Sequence, residues 1–177
     1  MSTLRTPTLL ILLAASCGTA AAAGLNLGQP VTEADLSAWD ISILPDGRGL
    51  PPGRGTAMQG ERIYIEKCQS CHGVKGAGQP NDVLVGGHDT IASDKPAVKT
   101  VGSFWPYATT LFDYVRRAMP WQMPKSLSDD EVFAVSAYIL HLNGTIGVDE
   151  VMDRESLPKV RMPNRNGFKP YPATKLP

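Results

Sequence analysis

Cysteine is scarce in this chain of 177 residues: it has three, Cys17, Cys68 and Cys71. Too few metal-ligating side chains lie near the last two for a structural zinc site, which needs four ligands. Charge of one sign is not in excess either. The 17 Lys and Arg residues balance the 17 Asp and Glu, so nothing in the net charge points to nucleic acid as a partner. Outside the N-terminus no apolar run approaches the roughly 20 residues that a membrane-spanning helix needs. No internal repeat is visible. At this length the chain is expected to form one domain with extended flanks.

What is present begins with an export pattern. Arg5 gives a positive n-region, Leu9 to Ala15 a short apolar stretch, and Ala20 to Ala23 a small-residue cleavage zone. Residues 1–23 therefore read as a signal peptide, cut after Ala22 or Ala23, and the product is expected in the periplasm. Arg5 is the one charged residue lost with it, and Cys17 leaves too. A rival reading takes Ala14-Ala15-Ser16-Cys17 as a lipoprotein site that leaves a lipid anchor on Cys17. The usual leucine three residues before the cysteine is missing from it.

Residues 24–55 form an N-terminal flank. It holds Trp39 and Ile41, which can pack against something, and ends in the proline- and glycine-rich stretch Pro45 to Gly55. The compact region is expected over 56–144, and a proline-rich extension follows over 145–177. Three helices are expected in the compact region. The first starts near Thr56 and runs to Cys68, with Gly60, Ile63, Tyr64 and Lys67 along one side. The second covers Thr109 to Ala118. The third opens on a capping box of Ser128 and Glu131 and closes at Asn143-Gly144. Its Val132, Val135, Ile139 and Leu142 recur at helical spacing and are expected in the core. Short helices joined by long glycine-rich loops need another source of order, which a large buried cofactor supplies.

Cys68-Gln69-Ser70-Cys71-His72 is the attachment signature of c-type haem. Two thiols three residues apart share one helical turn and can each add across a haem vinyl group. His72 then lies beneath the iron. A disulfide or a redox Cys-X-X-Cys pair would use the same thiols, but the redox pair needs a βαβ setting. One covalent haem c is the expected cofactor.

A second iron ligand must come from elsewhere, and a methionine thioether suits an electron-transfer haem because it raises the potential. Met119 and Met123 both lie between the second and third helices. Met119 directly follows a helix end, which fixes it better; Met123 is the alternative, and either can instead fill a gap in the core. His88 and His141 are rival ligands, His141 being better suited to the dipole at its helix end. In Phe104-Trp105-Pro106-Tyr107, the Trp105 indole N–H and Tyr107 hydroxyl can bond a haem propionate, or the rings can simply pack. The basic residues after Asp153 can steer an acidic partner, or can wrap their own domain.

The Cys68–His72 motif, Met119 and the surrounding helices resemble class I cytochrome c. Further stretches sharpen this: Ala38-Trp39-Asp40-Ile41, Val101 to Leu111, Arg117-Ala118-Met119-Pro120, and Arg161 to Phe168. With them the chain is similar to the cytochrome subunit (SoxD-type) of bacterial Sox sulfane dehydrogenase, and to cytochromes paired with molybdenum sulfite dehydrogenases. The resemblance covers most of residues 28–170. It implies an all-α class I cytochrome c fold over 56–144, with His72 and Met119 as iron ligands. It also implies electrons arriving from a molybdenum-cofactor dehydrogenase subunit of sulfur oxidation and leaving to a downstream cytochrome c or oxidase. This chain departs from two-haem members in having one Cys-X-X-Cys-His. A freely diffusing shuttle to a terminal oxidase is the alternative. A haem enzyme acting on thiosulfate is the remaining one, for which no acid–base pair and no further cysteine is available after export. The chain is thus expected to transfer electrons and not to be a catalyst on its own.

Overall fold

A computed structural model describes residues 28–37, 39–91 and 93–169, in two units that divide after Asp40. The expected signal peptide, its cleavage zone and Cys17 lie outside the described residues. In the first unit, Thr32 and Asp35 exchange hydrogen bonds around the start of α1 (Glu33–Ser37). This helix buries none of its residues, and Trp39 is 84% exposed.

The second unit is mostly helical. β1 (Arg54–Thr56) leads into α2 (Ala57–Lys67), then α3 (Gln69–His72) and a 3-10 turn, Val74–Gly76. After a long loop come α4 (Ala108–Ala118), α5 (Asp129–Leu142), β2 (Val151–Asp153) and a second 3-10 turn, Leu157–Lys159. The helix starts follow from side chains that satisfy their free N–H groups. Thr56 Oγ1 accepts from the Gln59 amide, and Gln59 Oε1 accepts from the Thr56 amide at 2.9 Å. Ser128 and Glu131 do the same for α5, with Glu131 Oε2 accepting from Ser128 at 2.8 Å. Asn143 caps the far end of α5, and Gly144 follows with a φ of +67°, which suits glycine.

α5 is the centre of the unit. Val132, Val135 and Ile139 are buried as their spacing predicts, and Leu142 is half-buried. Phe133, Ala134, Ala137, Tyr138 and Leu140 are buried too, because α2, α4 and β1 pack on different sides of the helix. Such burial all round is what an evenly apolar helix requires. Phe133 meets Phe112 of α4 at 4.4 Å between ring centroids, and Tyr138 meets Tyr64 of α2 at 5.3 Å. α2 reaches α5 at Gly60, where an added Cβ would run into the Ala134 carbonyl. Glycine is there for close approach.

The segments on either side of 56–144 join the same core. Leu50, Met152, Leu157, Val160 and Met162 are all buried in it. β1 and β2 pair antiparallel, with Gly55 opposite Met152. This ribbon joins the N-terminal approach of α2 to the segment beyond α5. No helix among the described residues is long and apolar enough to cross a membrane.

Candidate functional site

A cavity of about 510 Å³ opens between α2–α3, α4, α5 and the long loop. Its size falls in the range of about 300–1,000 Å³ usual for cofactor sites. Cys68 ends α2 and begins α3, so its amide donates to the Tyr64 carbonyl at 2.9 Å while its own carbonyl accepts from Cys71 and His72. That single turn brings Cys68, Cys71 and His72 to the cavity together. No disulfide joins the two cysteines, and both are half-buried. Before any bond is made to it, burial pushes the Cys68 thiol up to about 11, partly offset by the nearby Lys67 ammonium.

The imidazole of His72 is aimed by the backbone. Its Nδ1 lies 2.9 Å from the Asp82 carbonyl oxygen, which can only accept. Nδ1 therefore carries the proton, and Nε2 keeps its lone pair for a metal. The loop that supplies Asp82 folds back on the motif: Asn81 N–H donates to Cys71 and Gly78 N–H to His72. Beneath it, the Tyr64 hydroxyl donates to the Gly73 carbonyl at 2.9 Å, and burial pushes that phenol up to about 12.

Apolar side chains make up much of the remaining wall. Leu84, Val101 and Trp105 come from the long loop, Leu111 and Val115 from α4, Val135 and Ile139 from α5. Buried polar groups hold the loop in place. Asn143 Oδ1 accepts from Gly86, its Nδ2 donates to Leu84 and Ile139, and Thr100 Oγ1 donates to Gly86 at 2.6 Å. The polar atoms of Asn143 and Thr100 are thus satisfied by backbone groups of the loop and of α5.

Met119 lines the cavity at the end of α4. Met123 is 63% exposed and does not line it. Trp105 lines it as well, with its ring edge-on to Tyr114 at 5.6 Å. Tyr107 is not in the lining; the Arg165 guanidinium covers its ring at 4.6 Å. His88 and His141 are also outside, and His141 Nδ1 lies 3.3 Å from the Ile146 carbonyl oxygen. Among the described residues no group of three His, Cys, Asp or Glu side chains converges as a metal cluster. The donor set fits a covalent porphyrin: two thiols on one turn, an imidazole with one nitrogen already used, and a thioether, on an apolar wall. Sequence reasoning did not find Asp82, because its contribution is a backbone carbonyl that any residue supplies.

The cytochrome c family model matches residues 57–143. Among solved structures, the chain is similar to a chain of the sulfane dehydrogenase SoxCD from Paracoccus pantotrophus. The two are 40% identical, with a TM-score of 0.78, over 84% of this chain and 73% of that one. The chain belongs to the cytochrome c family. This cytochrome has the class I fold, carries covalent haem c and serves electron transport. Among curated proteins it is 33% identical over 117 residues to a thiosulfate dehydrogenase of Psychrobacter arcticus. That match takes in 64% of this cytochrome and about a third (35%) of the relative's length.

Proposed function

We propose that this cytochrome is the electron-transfer subunit of a periplasmic sulfur-oxidising system. It takes electrons from a molybdenum-cofactor dehydrogenase that oxidises sulfane sulfur or sulfite, and passes them to a downstream cytochrome c or an oxidase. One observation carries this reading: the likeness to the SoxCD chain spans 84% of this chain, well beyond residues 57–143 and into the flanks. Residues 1–23 direct export, and the haem is attached outside the cytoplasm.

Each residue has a stated part. Cys68 and Cys71 anchor the porphyrin through thioether bonds. His72 binds the iron through Nε2, held by its bond to the Asp82 carbonyl. Met119 would supply the second iron ligand, and Trp105 would shield the cavity from water. The haem contributes a one-electron couple whose potential the thioether raises.

The test is reconstitution. The purified cytochrome, a molybdenum-cofactor sulfur dehydrogenase, and sulfite or thiosulfate are combined, and the reduced-haem spectrum is followed. Rapid reduction that needs the enzyme, with both proteins co-eluting, is expected. Reduction without a stable complex would make it a free shuttle; no reduction in any combination would defeat the proposal.

The likeness to thiosulfate dehydrogenase favours a second reading, oxidation of thiosulfate at the haem itself. It requires thiosulfate to reduce the cytochrome with no second protein, and an iron open to carbon monoxide. A six-coordinate protein that thiosulfate alone leaves oxidised removes it.

A further inference from the structure

Met119 is half-buried against the core, but the loop that follows it has little packing of its own. From Met119 to Ser128 only Leu127 is buried, and residues 121–126 are all exposed. Its backbone bonds are local, from Met123 to Pro120 and from Ser126 to Met123. The exposed loop therefore adds little to the apolar contact that Met119 makes with the core. Two arginines in the last turn of α4 act at the base instead. Arg116 Nε pairs with Asp129 at 3.0 Å, tying the start of the loop to the first residue of α5. Arg117 Nε pairs with Asp113 at 2.7 Å, and its Nη2 donates to the Ile41 carbonyl at 2.8 Å. Ile41 lies outside residues 57–143, so this anchor is added to the family domain by the N-terminal flank.

We propose that Arg117 is a positioning residue for the Met119 thioether, locking the last turn of α4 to the N-terminal flank. The planar guanidinium can hold Asp113 and Ile41 at once. A lysine, as a single point of charge, holds one of them well. The flank thereby has a task at the cofactor. This inference rests on Met119 being an iron ligand.

The experiment uses the full-length, haem-loaded protein. It reads the methionine-to-iron charge-transfer band of the oxidised form and the affinity for imidazole, which competes with the thioether. Arg117→Gln is expected to weaken the band and bind imidazole about 10-fold more tightly, the usual scale for loss of a ligand-orienting partner. Arg117→Lys is expected to fall in between. Arg154→Gln is the control. Its Nη2 makes a comparable contact to the Leu50 carbonyl at 3.3 Å, away from the cavity, and both readouts should stay unchanged.

Wild-type imidazole affinity in Arg117→Gln would overturn the proposal. So would an equal rise in Arg154→Gln, since that would reveal general loosening. If Arg117→Gln does not mature, Asp113→Asn removes the carboxylate that aims the arginine, and wild-type affinity there overturns it as well. Met119→Ala separates the two ideas. A band that survives this change defeats the ligand reading; a band lost in Met119→Ala and intact in Arg117→Gln defeats only the positioning role.

Discussion

Cys68–His72 and Met119 line the same cavity, and they are held there by different means. The first group follows directly on α2, which packs on α5, with Tyr64 buried beneath and its hydroxyl bonded to Gly73. The second is half-buried at the end of α4, before an exposed loop whose base is tied by Arg116 and Arg117. The contrast separates the covalent anchor, built on the apolar core, from the proposed second ligand, which adds polar contacts at its base to a half-buried seat. Changes to the core should therefore unfold the protein, and changes to the loop should alter the iron and spare the fold.

The largest effect is expected at the anchor. Cys71→Ala removes one thioether and should block normal maturation. Mass spectrometry of the exported protein would then show little or no covalent porphyrin; full loading would contradict the assignment. Next comes the loop. Met119→Ala should lower the midpoint potential or leave the iron five-coordinate, whereas Met123→Ala should leave the spectrum as it is. If the two variants exchange behaviour, the ligand is Met123.

A smaller, structural effect is expected where α2 meets α5. Gly60→Val forces a side chain onto the Ala134 carbonyl and should cost about 1–3 kcal/mol in denaturant unfolding, the usual range for overpacking. Unaltered stability would mean the two helices are not seated as described. The smallest effect concerns Lys67 and Glu131, paired at 2.8 Å between α2 and α5 with both side chains partly exposed. The lysine holds the Glu131 carboxyl below its ordinary value of 4.5, with the Ser128 amide adding to this. A depressed carboxyl stabilises the fold above that ordinary value, and the gain is lost as pH falls through the lowered one. Lys67→Met should thus cost under about 1 kcal/mol at pH 7, with the difference shrinking on acidification. A penalty that grows in acid would contradict the pairing.

The same division decides what could be read from the sequence. The haem motif, the caps at Thr56 and Ser128, and the stripe of Val132, Val135 and Ile139 are local patterns, and local patterns carry their own signal. The role of the flanks left little trace. Leu50, Met152, Leu157 and Met162 are isolated apolar residues among prolines and charges, with no period to mark them as core. The Asp82 and Ile41 contributions are carbonyl oxygens, which no residue type announces. For Tyr107 the sequence leaves open a haem propionate or plain packing; its ring lies under Arg165, a residue 58 positions further along (165 − 107).

The β1–β2 ribbon makes the cytochrome a closed loop fastened by a clasp, since one strand precedes the first helix of the core and the other follows the last. Opening the clasp by ending the chain before Val151 would leave β1 with a row of unpaired N–H and C=O groups, and would empty the seat of Met152. Such a raw edge invites another chain to complete it. A version trimmed there would then tend to self-associate through the bared strand.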